Sequence, residues 1–136
     1  MNPNYNQNYS RAEVEEILSR IKNCVAKDRY YISLNENRLE NQAFIDNYYV
    51  SVKRQKGILL NLKVQDFCYS LNNKNKRYQP GPLYVFMPQV SVLNFACRET
   101  IVDLYIKISI VEQASGTQII VISFHERNHP PMYLFR

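Results

Sequence analysis

Apolar residues early in the chain keep helical time. Val14, Ile17, Leu18, Ile21 and Val25 fall on one stripe at the 3.6-residue period. Ser10 and Glu13 form the S-x-x-E pattern of a capping box, and Glu13, Glu15 and Glu16 place negative charge at the positive end of the helix dipole. The spacing predicts an amphipathic helix from Ser10 to near Lys27. Residues 1–9, MNPNYNQNY, are polar and aperiodic and predict a mobile tail. Tyr30 to Ser33 is a short β-prone run. Asn35 to Asn47 reads as a second helix with Leu39, Ala43 and Phe44 on one face. Ser51 caps a third helix running to Asn61, with Ile58, Leu59 and Leu62 apolar. Gly57 inside it costs about 1 kcal/mol.

The period then changes. Residues 63–71, KVQDFCYSL, form a connector or short strand, and Asn72 to Gly81 is a polar, basic loop closed by Pro80-Gly81. Leu83 to Met87 is a strand candidate. From Thr100 to Val111 the alternation is regular. Val102, Leu104, Ile106, Ile108 and Ile110 share one face, and Asp103, Tyr105, Lys107 and Ser109 share the other. Gln113 to Gly116 is a turn and Thr117 to His125 a strand, so the pair predicts an antiparallel hairpin. Pro130-Pro131 stops it, and Met132 to Phe135 adds an edge segment. Helices first and strands afterwards predict an α+β fold, with N-terminal helices packed on one face of a C-terminal antiparallel sheet. Residues 10–136 form the single domain.

Composition removes several classes. The chain has 136 residues, 46% hydrophobic and 21% charged, an ordinary globular mix. No apolar run approaches the roughly 20 residues that span a bilayer, and Met1 to Ser10 lacks a signal-peptide core. Three cysteines, Cys24, Cys68 and Cys97, are far apart and predict reduced thiols in a cytoplasmic protein. No cysteine pair has zinc-ligand spacing, and His125 and His129 straddle a turn, so neither metal nor cofactor is expected. With three glycines, there is no Gly-rich phosphate loop.

Charge changes the picture more. Lys and Arg number 17 against 12 Asp and Glu, a net +5, and the chain holds 11 Tyr and no Trp. The excess concentrates between Lys53 and Arg77, where Lys53, Arg54, Lys56, Lys63, Lys74, Lys76 and Arg77 face Asp66 alone. Tyr69 and Tyr78 are interleaved with them. Phosphate contacts beside stacking rings suit single-stranded RNA, although a solvated surface or an acidic protein partner fits the same pattern. Arg136 is a further phosphate contact or an exposed end.

On the hairpin, Tyr105 and Lys107 point to one side, as do Ser123 and His125 on the neighbouring strand. Where these faces coincide, they gather the groups that metal-free RNA cleavage needs. A base takes the 2′-hydroxyl proton, a cation steadies the phosphorane and an acid protonates the leaving 5′-oxygen. His125 suits proton transfer, Lys107 charge stabilisation and Tyr105 donation or orientation. A solvated face of an alternating strand presents the same pattern.

Several phrases carry a family resemblance: LLNLKVQDFCYSL after a basic helical segment near Arg38, then PLYVFMP, DLYIKISI and IIVISFHERNHPPMYLFR. Over roughly residues 11–136 the chain resembles the MqsR family of type II toxins. That resemblance implies a compact RelE-like α+β fold. It also implies metal-independent endoribonuclease activity on messenger RNA and a cognate antitoxin as partner. The family's active-site Tyr falls on Tyr105. Its Lys falls on Tyr69 in DFCYS, and its Gln falls near Leu83, so two positions depart from the pattern. Lys107, His125 or the basic loop would then take over. A non-catalytic RNA- or protein-binding module on the same fold is the alternative expectation.

Overall fold

The computed structural model of the chain describes residues 5–34, 38–72 and 81–136. Three helices and a six-stranded, mostly antiparallel sheet form an α+β fold. Helix α1 (Arg11–Ala26) opens as its sequence predicts. The Ser10 hydroxyl accepts from the Glu13 N–H, and the Glu13 carboxylate accepts from the Ser10 N–H. Its stripe of Val14, Ile17, Leu18, Ile21 and Val25 is buried. Strand β1 (Tyr30–Ile32) follows, then α2 (Leu39–Asn47) and α3 (Val52–Leu60), the last capped by Ser51 through the Arg54 N–H. A 3-10 turn (Val64–Asp66) leads into β2 (Phe67–Asn72). Strands β3 (Pro82–Phe86), β4 (Gln89–Leu93), β5 (Glu99–Gln113) and β6 (Gly116–Glu126) complete the sheet.

The main order is β1-β6-β5-β3-β2. Strand β5 spans 15 residues, about 50 Å at strand rise. That length lets it pair with β3 along one part and with β4 along another. Leu104, Ile106 and Ile108 of β5 join Ile119, Val121 and Phe124 of β6 in the core beneath α1 and α3. The opposite face carries a second apolar cluster of Cys68, Tyr69, Val85, Met87 and Tyr105.

Three expectations change. The sheet is not wholly antiparallel, because β1 runs parallel to β6, with Tyr30 opposite Ile119. Strand β4, which the sequence reading left unassigned, pairs Val90 with Val102. Residues 5–9 are docked and not a mobile tail. Asn6 and Ser70 exchange two backbone hydrogen bonds of 2.9 Å along the free edge of β2. Gln7 donates to the Cys68 and Met132 carbonyls, and the Tyr9 hydroxyl meets that of Ser70 at 2.7 Å. A polar segment stays bound because an open sheet edge offers it backbone partners.

Helix α2 covers the other edge where β1 ends. Asn41 is fully buried, and its amide spans the gap a strand would fill. Nδ2 donates to the Ser33 and Ile122 carbonyls at 2.8 and 3.0 Å, and Oδ1 accepts from the Phe124 N–H at 2.8 Å. This clamp holds the end of β6 and thereby the position of His125. Among the described residues no helix is long and apolar enough to cross a membrane.

Candidate functional site

The hairpin register brings the predicted groups together. Tyr105 lies directly opposite His125, and Lys107 opposite Ser123, so all four share the face away from α1 and α3. The Tyr105 and His125 rings stack at 5.6 Å between centroids, and the Lys107 ammonium lies 5.6 Å from the Tyr105 ring centroid. A bulge between Lys107 and Ile108 follows immediately on this pairing. It shifts β6 by one residue, so that Ile120 and Ile122 also lie on this face.

His129 joins the group and was missed as a catalytic candidate by sequence reading. The chain turns back after β6, tied by the Arg127 N–H to the Asp103 carbonyl and by the Arg127–Asp103 ion pair at 3.2 Å. His129 then meets the Tyr105 ring edge-on at 5.3 Å, and its Nε2 lies 3.2 Å from the Tyr69 hydroxyl. The signal available was the second His of HERNH, read only for metal spacing. Tyr105 therefore lies between two imidazoles.

The nitrogens are not equivalent. His125 Nδ1 lies 2.7 Å from the Glu126 carbonyl, which only accepts, so Nδ1 carries the proton and Nε2 faces Glu40 at 3.4 Å. His129 Nδ1 lies 2.9 Å from the Asn128 side-chain oxygen, leaving Nε2 toward Tyr69. Each ring is therefore held at both nitrogens, Nδ1 by a neighbouring oxygen and Nε2 by Glu40 for His125 or by Tyr69 for His129.

Burial sets the electrostatics. It pushes the Tyr105 phenol up to about 12. It pushes Tyr69 up further, helped by neighbouring Tyr105 and Tyr5. Both phenols stay protonated donors at neutral pH. Burial lowers Lys107, and the like charge of Arg38 lowers it again.

The expected RNA contacts are not one surface. Tyr69 is 0% exposed and lies under Tyr5, whose ring is parallel at 4.2 Å, so it is not an open stacking platform. Lys56 is paired with Asp28 at 2.8 Å. Arg136 is no loose end, since it bonds Asp66 at 2.9 Å, donates to the Gln65 carbonyl and covers the Tyr133 ring. Lys63 is exposed and shares a groove with Arg136 and Arg54. Lys74, Lys76 and Arg77 lie outside the described residues. Among the described residues no three His, Cys, Asp or Glu side chains cluster to hold a metal ion.

Comparison with known families, with curated proteins and with solved structures finds no match to this chain.

Proposed function

We propose that the chain is a metal-independent endoribonuclease acting on single-stranded messenger RNA, a divergent MqsR-like toxin restrained by an antitoxin. The observation that carries this reading is the packing of two imidazoles and Lys107 around Tyr105. Cleavage needs two proton transfers and one stabilised charge. The Nε2 atoms of His125 and His129 supply the transfers, one as base and one as acid, each exchanging its partner in the free protein, Glu40 or Tyr69, for the RNA. Lys107 stabilises the phosphorane. Tyr105, 8% exposed, acts from beneath by holding both rings in place. A reducing cytoplasmic setting belongs to the same proposal and agrees with the free thiols of Cys24, Cys68 and Cys97.

The test is cleavage of diverse single-stranded RNAs by the purified protein in EDTA. His125→Ala and His129→Ala are each expected to lose at least about tenfold in rate, a floor set below the roughly 10²–10⁴-fold that a positioned proton-transfer group contributes. Absence of cleavage across all substrates at high protein concentration refutes the reading. A second reading, a non-catalytic RNA- or protein-binding module, is favoured by Tyr69. Where the resemblance expects a lysine, the chain buries a neutral phenol. That module binds RNA in a salt-sensitive way without turnover. A salt-insensitive isotherm removes its RNA form.

A further inference from the structure

A groove lies apart from the Tyr105 face. It measures about 540 Å³, and one wall is Pro88, Gln89, Val90 and Ser91. The facing wall comes from the end of α3, the 3-10 turn and Arg136. Its volume falls within the roughly 300–1,000 Å³ of ordinary ligand clefts. Three cations from distant parts of the chain line it, Arg54, Lys63 and Arg136, against the single carboxylate of Asp66. Asp66 is already engaged, by Arg136 at 2.9 Å and by the Lys63 backbone N–H at 2.9 Å. The Lys63 side chain makes no ion pair among the described residues.

The strand wall has a property that a merely basic surface lacks. Leu104 donates to the Pro88 carbonyl and Asn94 donates to the Arg98 carbonyl. With Val90 opposite Val102 and Val92 opposite Thr100, these bonds set the alternation of the ladder. Pro88, Val90, Val92 and Asn94 turn their backbone groups toward β5. Gln89, Ser91 and Leu93 turn theirs away, at the groove or continuing its edge. Among the described residues, only Arg54 bonds that outward edge, its guanidinium donating to the Ser91 carbonyl at 2.8 Å. A charged side chain over an edge is how a free edge is protected from indiscriminate pairing.

We infer that this groove binds an extended acidic peptide, which pairs with the outward edge of β4 while Arg54, Lys63 and Arg136 read its carboxylates. The unpaired strand edge supplies donors and acceptors at peptide spacing, and the cations supply sign. An incoming strand takes the place of Arg54 at Ser91, and the released guanidinium pairs with an acidic side chain of the peptide. RNA is the weaker occupant. The groove lining holds no aromatic ring on which a base would stack, and single-stranded RNA draws heavily on stacking. This inference is independent of the nuclease reading.

The experiment uses the full chain and three fluorescent probes. These are an eight-residue peptide alternating Glu with Val, the same peptide with proline at alternate positions, and a single-stranded RNA octamer. The Glu/Val peptide is expected to bind and to slow hydrogen exchange at the Gln89, Ser91 and Leu93 amides. The proline version keeps the charge but lacks half the N–H donors, and should bind at least about tenfold more weakly. Lys63→Glu should weaken the Glu/Val peptide by about tenfold as well. That side chain holds nothing in the fold, so loss of folding is not the cause. Three results overturn the inference: equal binding of the proline peptide, unchanged exchange at β4, or RNA that outcompetes the peptide for the groove.

Discussion

Replacing Asn41 tests how the end of β6, and so His125, is held. The amide makes three buried hydrogen bonds, two as donor and one as acceptor, all to backbone. Asn41→Ala leaves the Phe124 N–H and the Ser33 and Ile122 carbonyls without that partner, at about 1–3 kcal/mol for each group left unsatisfied. Partial relaxation and water entry reduce the sum, so the loss should be about 3–5 kcal/mol, a large part of a typical 5–15 kcal/mol stability. Equilibrium unfolding in urea measures it. Asn41→Asp sharpens the test. One carboxylate oxygen still accepts from Phe124, but the other faces two carbonyls and cannot donate when ionised. The native acid is therefore raised above its unfolded value of about 3.9. With the unfolded state the first to ionise, the deficit is least below about pH 4 and grows as pH rises toward the native value. A loss below about 1 kcal/mol for the alanine variant, or a pH-independent deficit for the aspartate, would refute the surrogate-strand account.

Two further outcomes follow from the site. Tyr105 titrates near 12 in the fold against about 10 unfolded, so its proton favours the native state by roughly 2–3 kcal/mol below pH 10, a contribution lost as pH rises through 12. Alkaline urea unfolding of the wild type and Tyr105→Phe should diverge over that window, and parallel curves would contradict it. Tyr5→Ala removes the ring stacked at 4.2 Å on Tyr69 and should cost about 1 kcal/mol while speeding exchange at the Ser70 amide. Unchanged exchange there would mean that the 5–9 segment does not depend on the stack.

The legible parts of the fold are those whose signal is local. Ser10 with Glu13, Ser51, and the alternation from Thr100 to Val111 each state a cap or a face within a few residues. The shared face of Tyr105 and Lys107 was legible in the alternation of β5, but His125 joins it only through the bulge between Lys107 and Ile108, since the register of the turn alone would set Tyr105 opposite Phe124. What could not be read depends on residues far apart in the chain. Asn6 finds Ser70 only after β2 becomes an edge. Asn41 looks like any polar helical residue until it faces Phe124. His129 reaches Tyr105 because Arg127 anchors the return turn to Asp103. Strand β4 failed for a different reason: Pro88 at its start and a turn around Asn94 at its end left too few residues to show a period.

The electrostatics of the Tyr105 face join these elements into one argument. With a phenol at position 69, positive charge on this face comes from Lys107, with Arg38 near enough to lower its proton affinity. Two like charges held close are unfavourable in the free protein. Among the described residues no carboxylate pairs with Lys107 to relieve that repulsion. A bound phosphate would favour the charged form of Lys107. The neighbouring phenols add to this without competing: with pKa values pushed up, they remain neutral donors and bring no negative charge beside the lysine. Tyr69 brings a neutral donor, not a charge, to the network of His129 and Tyr105. On the nuclease reading, the work on this face therefore falls to one cation and a pair of imidazoles.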